Sequence, residues 1–234
     1  MDIKKLKILD GSILKLIAVV TMFIDHFGLI FYQTNFFNLP FLSFGGKEIT
    51  LYFIMRKIGR LAFPIFCFLI VEGFIHTKNL KKYLINLSVF AVISEIPFDL
   101  MISGNAFYLG KQNIYFTLLL GVLALTVAEN IKSDFKKFLI LAVLIAATII
   151  LKVDYGLNGV LLILLIYALR DKNVLKTVLS FPFLSGGYSA WAAFIPINMY
   201  NGERGFIKGK FLKYFFYAFY PLHIIILLLI KNLI

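Results

Sequence analysis

The chain has 234 residues, of which 61% are hydrophobic, 17% aromatic and only 15% charged, with 26 Phe. Soluble domains run about 45–50% apolar and about 25% charged. A soluble fold of this length has too little interior for so much Phe, Leu and Ile, and disorder needs low hydrophobicity. The composition predicts an all-α, polytopic membrane bundle in a single domain. In that setting 24 Lys and Arg against 12 Asp and Glu, a formal charge of +12, point to the positive-inside bias of membrane loops, with no nucleic-acid partner.

The basic stretch Met1 to Lys7 before an apolar run resembles a signal peptide. Asp25 and His26 interrupt the run and no small-residue cleavage site follows, so it reads as a retained first span. A span needs about 20 apolar residues, which predicts about eight to ten transmembrane helices. The candidates are 13–32, 52–76, 82–103, 113–131, 136–151, 156–170, 174–200 and 213–233. The fifth and sixth are short and joined by Lys152 to Tyr155, as in a tight hairpin. The seventh holds Pro182, Gly186, Gly187 and Pro196, which break or kink a helix, an arrangement tolerated where backbone lines a cavity. The single cysteine, Cys67, sits in an apolar run and reads as a small buried residue.

Orientation follows from the bases between spans. Lys4, Lys5, Lys7, Lys78, Lys81, Lys82, Lys132, Lys136, Lys137, Arg170, Lys172, Lys176 and Lys231 fall on one side. Lys47, Lys111 and Lys152 fall on the other, together with Arg204, Lys208, Lys210 and Lys213. The excess predicts both termini in the cytoplasm. The cluster from Arg204 to Lys213 breaks the rule.

Ionisable groups inside spanning helices are costly and mark functional sites. On this topology Asp25 and His26 lie in the outer half of the first helix, Arg56 and Arg60 near the outer start of the second, and Glu95 and Asp99 near the outer end of the third. Gln112 and Asn113 open the fourth, Asp154 sits at the outer turn after the fifth, Asn201 and Arg204 follow the seventh, and His223 lies midway along the eighth. That segregation predicts one polar cavity open to the exterior. Arg56 and Arg60 share a helix face, as do Glu95 and Asp99 on either side of Pro97, so the bases and acids are expected partners, functional or as structural salt bridges. Asp25 and His26 are adjacent, so their side chains diverge by about 100°.

The inner half carries Lys15 near the start of the first helix, Glu72 and His76 on one face of the second, and then Lys78, Lys81 and Lys82. This reads as a basic mouth suited to phosphates, or as snorkelling lysines that set topology. Lys15 and His26 are about three turns apart on one face, about 16 Å along the axis.

A neutral imidazole in an embedded polar pocket is a good general base, with arginine nearby for developing oxyanion charge. The chain has no P-loop, no H-E-x-x-H and no nucleophile elbow. None of His26, His76 and His223 is followed four residues later by Asp, and their spacing suggests no metal site.

Seven stretches together resemble the TraX family: LKLIAVVTMFIDHFG (14–28), IGRLAFPIFCFLIVEGFIHT (58–77), ISEIPFDL (93–100), QNIYFTLLLG (112–121), DYGLNGVLLILL (154–165), NGERG (201–205) and YFFYAFYPLH (214–223). The family is associated with N-terminal acetylation of conjugative pilin. It resembles wider transmembrane acyltransferases that carry a basic residue, ten intervening residues and then a histidine on the first helix, a spacing matched by Lys15 and His26 with Lys for the commoner Arg. The resemblance implies an acetyltransferase of the bacterial cytoplasmic membrane that takes cytoplasmic acetyl-CoA and acetylates an amine or hydroxyl on the outer side. His26 would be the base or acetyl carrier, with Asp25 beside it. Lys15, Glu72, His76, Lys78, Lys81 and Lys82 would meet CoA. Arg56, Arg60, Glu95, Asp99, Gln112, Asn113, Asp154, Asn201, Arg204 and His223 would meet the acceptor, a pilin-like amino terminus, a glycan or a small molecule. The outer basic loop would find acidic sugars or membrane lipid headgroups. The residues read alone also allow a transporter or flippase with an outward-facing polar cavity, although no inverted repeat is visible, or a scaffold for envelope assembly.

Overall fold

The computed structural model describes residues 7–32, 37, 39–45 and 47–233. Lys4 and Lys5 of the basic N-terminus lie outside these residues. The chain forms two compact units, Met1–Phe66 with Gly186–Ile234, and Cys67–Ser185.

In the first unit, α1 (Gly11–Phe31) starts where the Asp10 carboxylate accepts from the Ile13 amide at 2.9 Å. An N-cap of this kind satisfies amides that the first turn leaves without partners. A two-stranded antiparallel hairpin follows, β1 (Pro40–Phe44) and β2 (Lys47–Thr50), turning through Gly45 at φ 57°. It is a small addition to an otherwise helical chain. Polar Ser43 pairs with Glu48 and apolar Leu42 with Ile49 across this short ladder, a pattern too brief to stand out beside the helical runs. Next come α2 (Leu51–Gly59) and α3 (Ala62–His76), separated by a turn at Arg60 and Leu61. The chain enters the second unit within α3.

Helices α1 and α2 run antiparallel, with Asp25 opposite Arg56, Gly28 against Met55 and Tyr32 beside Tyr52. A Cβ on Gly28 would meet Met55 Cβ at 3.1 Å, and one on Gly59 would overlap the Asp25 carboxyl. Glycine at both positions lets the backbones approach, as small residues do in membrane helix pairs. After the short α9 (Tyr188–Trp191) and α10 (Phe194–Asn198), the unit closes with α11 (Lys210–Leu233).

Helix α11 runs parallel to α1: Lys15 lies over the Phe216 ring and His26 meets His223. The segment before it is clasped to the start of α1. The Leu9 amide donates to Met199 O (3.0 Å), the Asn201 amide to Leu9 O (2.9 Å) and the Gly11 amide to Glu203 O (2.8 Å). Ser12 Oγ donates to Arg204 O (3.0 Å) and accepts from the Ile207 amide (2.7 Å). One expectation changes. The loop with Arg204, Lys208, Lys210 and Lys213 lies at the N-terminal end of α1, not opposite it. Gly11 at the start of α1 and Leu233 at the end of α11 lie at opposite ends of the pair. The cause is the seventh apolar segment, which breaks at Pro182, Gly186 and Gly187 (φ 58°) into pieces too short to cross.

This arrangement predicts an accessibility pattern. Cys67 is 0% exposed, so introduced cysteines report alone. Lys208→Cys and Lys231→Cys should react with an impermeant maleimide from opposite sides of a sealed membrane; labelling from one side contradicts the parallel pair. Ser12→Ala leaves the buried Ile207 amide without an acceptor, which should cost about 1–3 kcal/mol, read as a lowered thermal midpoint.

The second unit is a meander of α4 (Leu80–Ser103), α5 (Ile114–Asn130), α6 (Asp134–Ile150) and α7 (Gly156–Ala168), followed by α8 (Asn173–Ser180) and a 3-10 turn at Phe181–Phe183. Asn79, Asn113 and Ser133 cap α4, α5 and α6 through their side chains, and Gly104 at φ 77° closes α4. Leu120, Ala124, Val153 and Val160 form a core that Leu141, Leu144 and Leu164 extend. Gly121 lets α5 approach α7, since a Cβ there would overlap Ile163. Lys176, counted above with the loop bases, is 2% exposed; its Nζ donates to Asn173 Oδ1 at 3.1 Å and lies over the Phe68 ring.

Among the described residues, four helical stretches are long and apolar enough to cross a membrane: Gly11–Phe31, Leu51–His76, Leu80–Ser103 and Lys210–Leu233. Ile114–Asn130 and Gly156–Ala168 are apolar but shorter. At about 1.5 Å per residue they fall short of a core about 30 Å thick. The first turn of α6 is charged by Asp134, Lys136 and Lys137. Val89, Val92, Ile93 and Ile96 leave an apolar face of α4 exposed, as contact with lipid requires.

Candidate functional site

The expected site residues fall into two groups. In the first unit, Asp25 and His26 follow one another on α1 and point to different partners. Asp25 Oδ2 accepts from Arg56 Nη1 at 2.5 Å. His26 Nδ1 lies 2.7 Å from His223 Nε2, the two rings nearly parallel at 4° with centroids 4.9 Å apart. Arg56 pairs with Asp25 on the neighbouring antiparallel helix, a partner that shared helix faces did not point to. The ring beside His26 is that of His223. Arg56 on α2 also acts electrostatically on His26, so one cation lies near the two imidazoles of α1 and α11. Arg60 follows α2 and its side chain packs against Gly186, where a Cβ would come within 2.8 Å.

Aromatic rings hold the histidines. Tyr220 stands edge-on to His26 at 5.7 Å, and Phe219 stacks on His223 at 4.8 Å. His223 is 4% exposed, and its Nδ1 lies 2.6 Å from the Phe219 carbonyl oxygen.

Eleven residues toward the start of α1, Lys15 is half-buried with its Nζ 5.3 Å from the Phe216 ring centre, a cation–π contact. Arg204, brought over by the clasped loop, is close enough to act on Lys15 electrostatically, and its own side chain is exposed. Asn201 is a loop-former here: its Oδ1 accepts from the Glu203 amide at 2.8 Å. Asn201 and Arg204 thus belong to the Lys15 end of α1, a correction to their expected place near His26. Two like charges near one another at the start of α1 suit an anion.

In the second unit, Glu95 Oε2 accepts from the Asn113 amide at 3.3 Å and, through a shorter bond, from Asn113 Nδ2. Asp99 is 2% exposed, and its Oδ2 accepts from the Tyr108 amide at 2.8 Å. Glu95 Oε1 and Asp99 Oδ1 have no hydrogen-bond partner among the described residues. Gln112 bridges through its backbone to Lys152 and Asp154. Asp154 Oδ1 pairs with Lys111 Nζ at 2.8 Å, while its carbonyl accepts from Thr117. These contacts tie α4, α5 and the α6–α7 turn into one polar seam. Glu72 and His76 meet at 3.5 Å on α3, and Lys78, Lys81 and Lys82 are exposed around the start of α4. Among the described residues no three His, Cys, Asp or Glu are placed to hold a metal ion.

Sequence reading missed Ser12 and Phe219. Ser12 carried a weak signal in the Asp10-Gly11-Ser12 start of α1. The carbonyl of Phe219 carried none, since backbone acceptors leave no mark in side-chain patterns.

The family model described as TraX protein matches residues 10–231. The chain is 32% identical over 243 residues to the probable fimbrial assembly protein FimC, serogroup H1, of Dichelobacter nodosus, covering 92% of each chain. It is also 32% identical over 108 residues to an uncharacterized protein of Rickettsia prowazekii (strain Madrid E), covering 45% of this chain and 36% of that one. No solved structure matches.

Proposed function

This chain belongs to the TraX family, and from that premise we propose that it is a membrane-embedded acetyltransferase that moves an acetyl group from acetyl-CoA to an amine or hydroxyl. The observation that supports this reading is that α1 carries a cationic end and an imidazole site about 16 Å apart. At one end Lys15 lies within electrostatic reach of Arg204; farther along, His26 is held against His223 between apolar helices. An extended donor with phosphates at one end and a thioester at the other suits that spacing.

In this reading the phosphates of CoA meet Lys15 and Arg204; Lys78, Lys81 and Lys82 of the second unit are the alternative phosphate site. The thioester carbonyl reaches His26, and Arg56 balances charge developing on its oxygen. His26 takes the proton of the acceptor N–H or O–H as that atom bonds to the carbonyl carbon. The carbon–sulfur bond breaks, and the proton passes to the CoA thiolate, so His26 returns to its starting form. Within the second unit, Glu95 Oε1 and Asp99 Oδ1 are buried without a hydrogen-bond partner among the described residues, which favours a cationic group there. The fimbrial assembly relative supports a fimbrial or pilin-like amino terminus as the acceptor, and the apolar helices support a multi-pass place in a bacterial cytoplasmic membrane.

The test is thiol release by the purified chain in lipid nanodiscs, given acetyl-CoA and either a peptide with a free amino terminus or a hexosamine. Acceptor-dependent release of free CoA is expected. A chain that neither binds acetyl-CoA nor releases CoA with any acceptor would overturn the reading.

A further inference from the structure

We propose that His223 is a positioning residue that sets the tautomer of His26 and leaves His26 Nε2 as the reactive nitrogen. The assignment starts at the backbone. The Phe219 carbonyl oxygen can only accept, so His223 Nδ1, 2.6 Å away, donates to it. A neutral imidazole carries one proton, so His223 Nε2 keeps a lone pair. That nitrogen is 2.7 Å from His26 Nδ1, which must then donate. His26 is left with its proton on Nδ1 and a bare Nε2. The opposite tautomer would set two lone pairs against each other at 2.7 Å, a buried clash that no hydrogen bond relieves. The stacked Phe219 ring and the edge of Tyr220 keep both imidazoles from turning.

The relay rests on the acetyl-transfer reading and gives it a working part. When His26 Nε2 takes the acceptor proton, the Nδ1–H bond to His223 spreads the positive charge over two rings and toward the Phe219 carbonyl. No group outside the chain is needed to hold it. The carbonyl and the second histidine here do what a carboxylate does for histidine in hydrolase triads.

The experiment is nitrogen NMR of the full chain in nanodiscs with labelled histidine rings, the His26 signals being those that vanish in His26→Gln. The expected result is a protonated Nδ1 and a bare Nε2 on His26; a protonated Nε2 overturns the inference. His223→Gln places an amide oxygen near the position of the ring Nε2, so it should keep the tautomer and hold kcat within about fivefold of the parent. His223→Leu removes the acceptor and should give mixed tautomers, with kcat down about 10²-fold and KM for acetyl-CoA unchanged. Equal kcat in the Gln and Leu variants also overturns it. If the Leu variant does not fold, the parent and Gln spectra decide. The expected tautomer in a chain that never consumes acetyl-CoA would sink the acetyl-transfer reading and leave the tautomer assignment standing.

Discussion

His26→Ala should lower kcat for acetyl transfer by about 10²–10⁴-fold, the range for loss of a general base, while KM for acetyl-CoA stays within about twofold. The separation of the two effects follows from geometry. The groups that would hold the phosphates, Lys15 and Arg204, lie about 16 Å along α1 from His26, so removing the imidazole leaves them untouched. The substitution leaves a gap beside Tyr220 and removes the partner of His223, so some stability is lost. A thermal melt separates that loss from the catalytic one, and His26→Gln, closer in volume, should show the same kcat defect with less loss of midpoint. A large rise in KM with kcat intact would assign His26 to binding instead.

The second large effect lies at the other end of the helix. Arg204→Ala and Lys15→Met should each raise KM for acetyl-CoA about tenfold, the worth of one charge-assisted contact of about 1.5–3 kcal/mol reduced by exposure to water, with kcat nearly unchanged. Arg204 suits the test because its side chain is exposed and its carbonyl, which Ser12 holds, remains in the variant. Methionine at position 15 keeps an unbranched stem over Phe216 and removes the charge. Raising salt should weaken donor binding in the parent and have less effect in either variant. An unchanged KM in both would show that the phosphates bind elsewhere, with Lys78, Lys81 and Lys82 next to test.

The helices of this protein were largely legible in its residues, because hydropathy and capping are local. The starts of α1, α4 and α5 stand at Asp10, Asn79 and Asn113, and the Lys15–His26 spacing is written into one helix. Side and partner were not legible. Counting spans assigns alternate sides, so one segment that fails to cross reverses everything after it. Pro182, Gly186 and Gly187 announced that break, yet the count treated 174–200 as a crossing. The bases from Arg204 to Lys213 lie with the N-terminal end of α1, not opposite it as that count had placed them. Shared helix faces likewise mark which residues can act together but not with whom. Arg56 meets Asp25 on the adjacent helix, Glu95 meets Asn113, and Asp99 holds the Tyr108 amide. The His26–His223 contact joins residues 197 apart in the chain, a separation that no local pattern reaches.

The central claim is that one helix carries a donor site at its N-terminal end and the chemistry farther along. Reconstitution into sealed vesicles of one orientation tests it most directly, with radiolabelled acetyl-CoA supplied only at the side bearing Lys208 and a peptide acceptor only at the other. The account predicts label on the acceptor, dependent on His26 and absent when acetyl-CoA is supplied on the wrong side. Label that reaches the acceptor equally well with His26→Ala, or regardless of the side supplied, would contradict it.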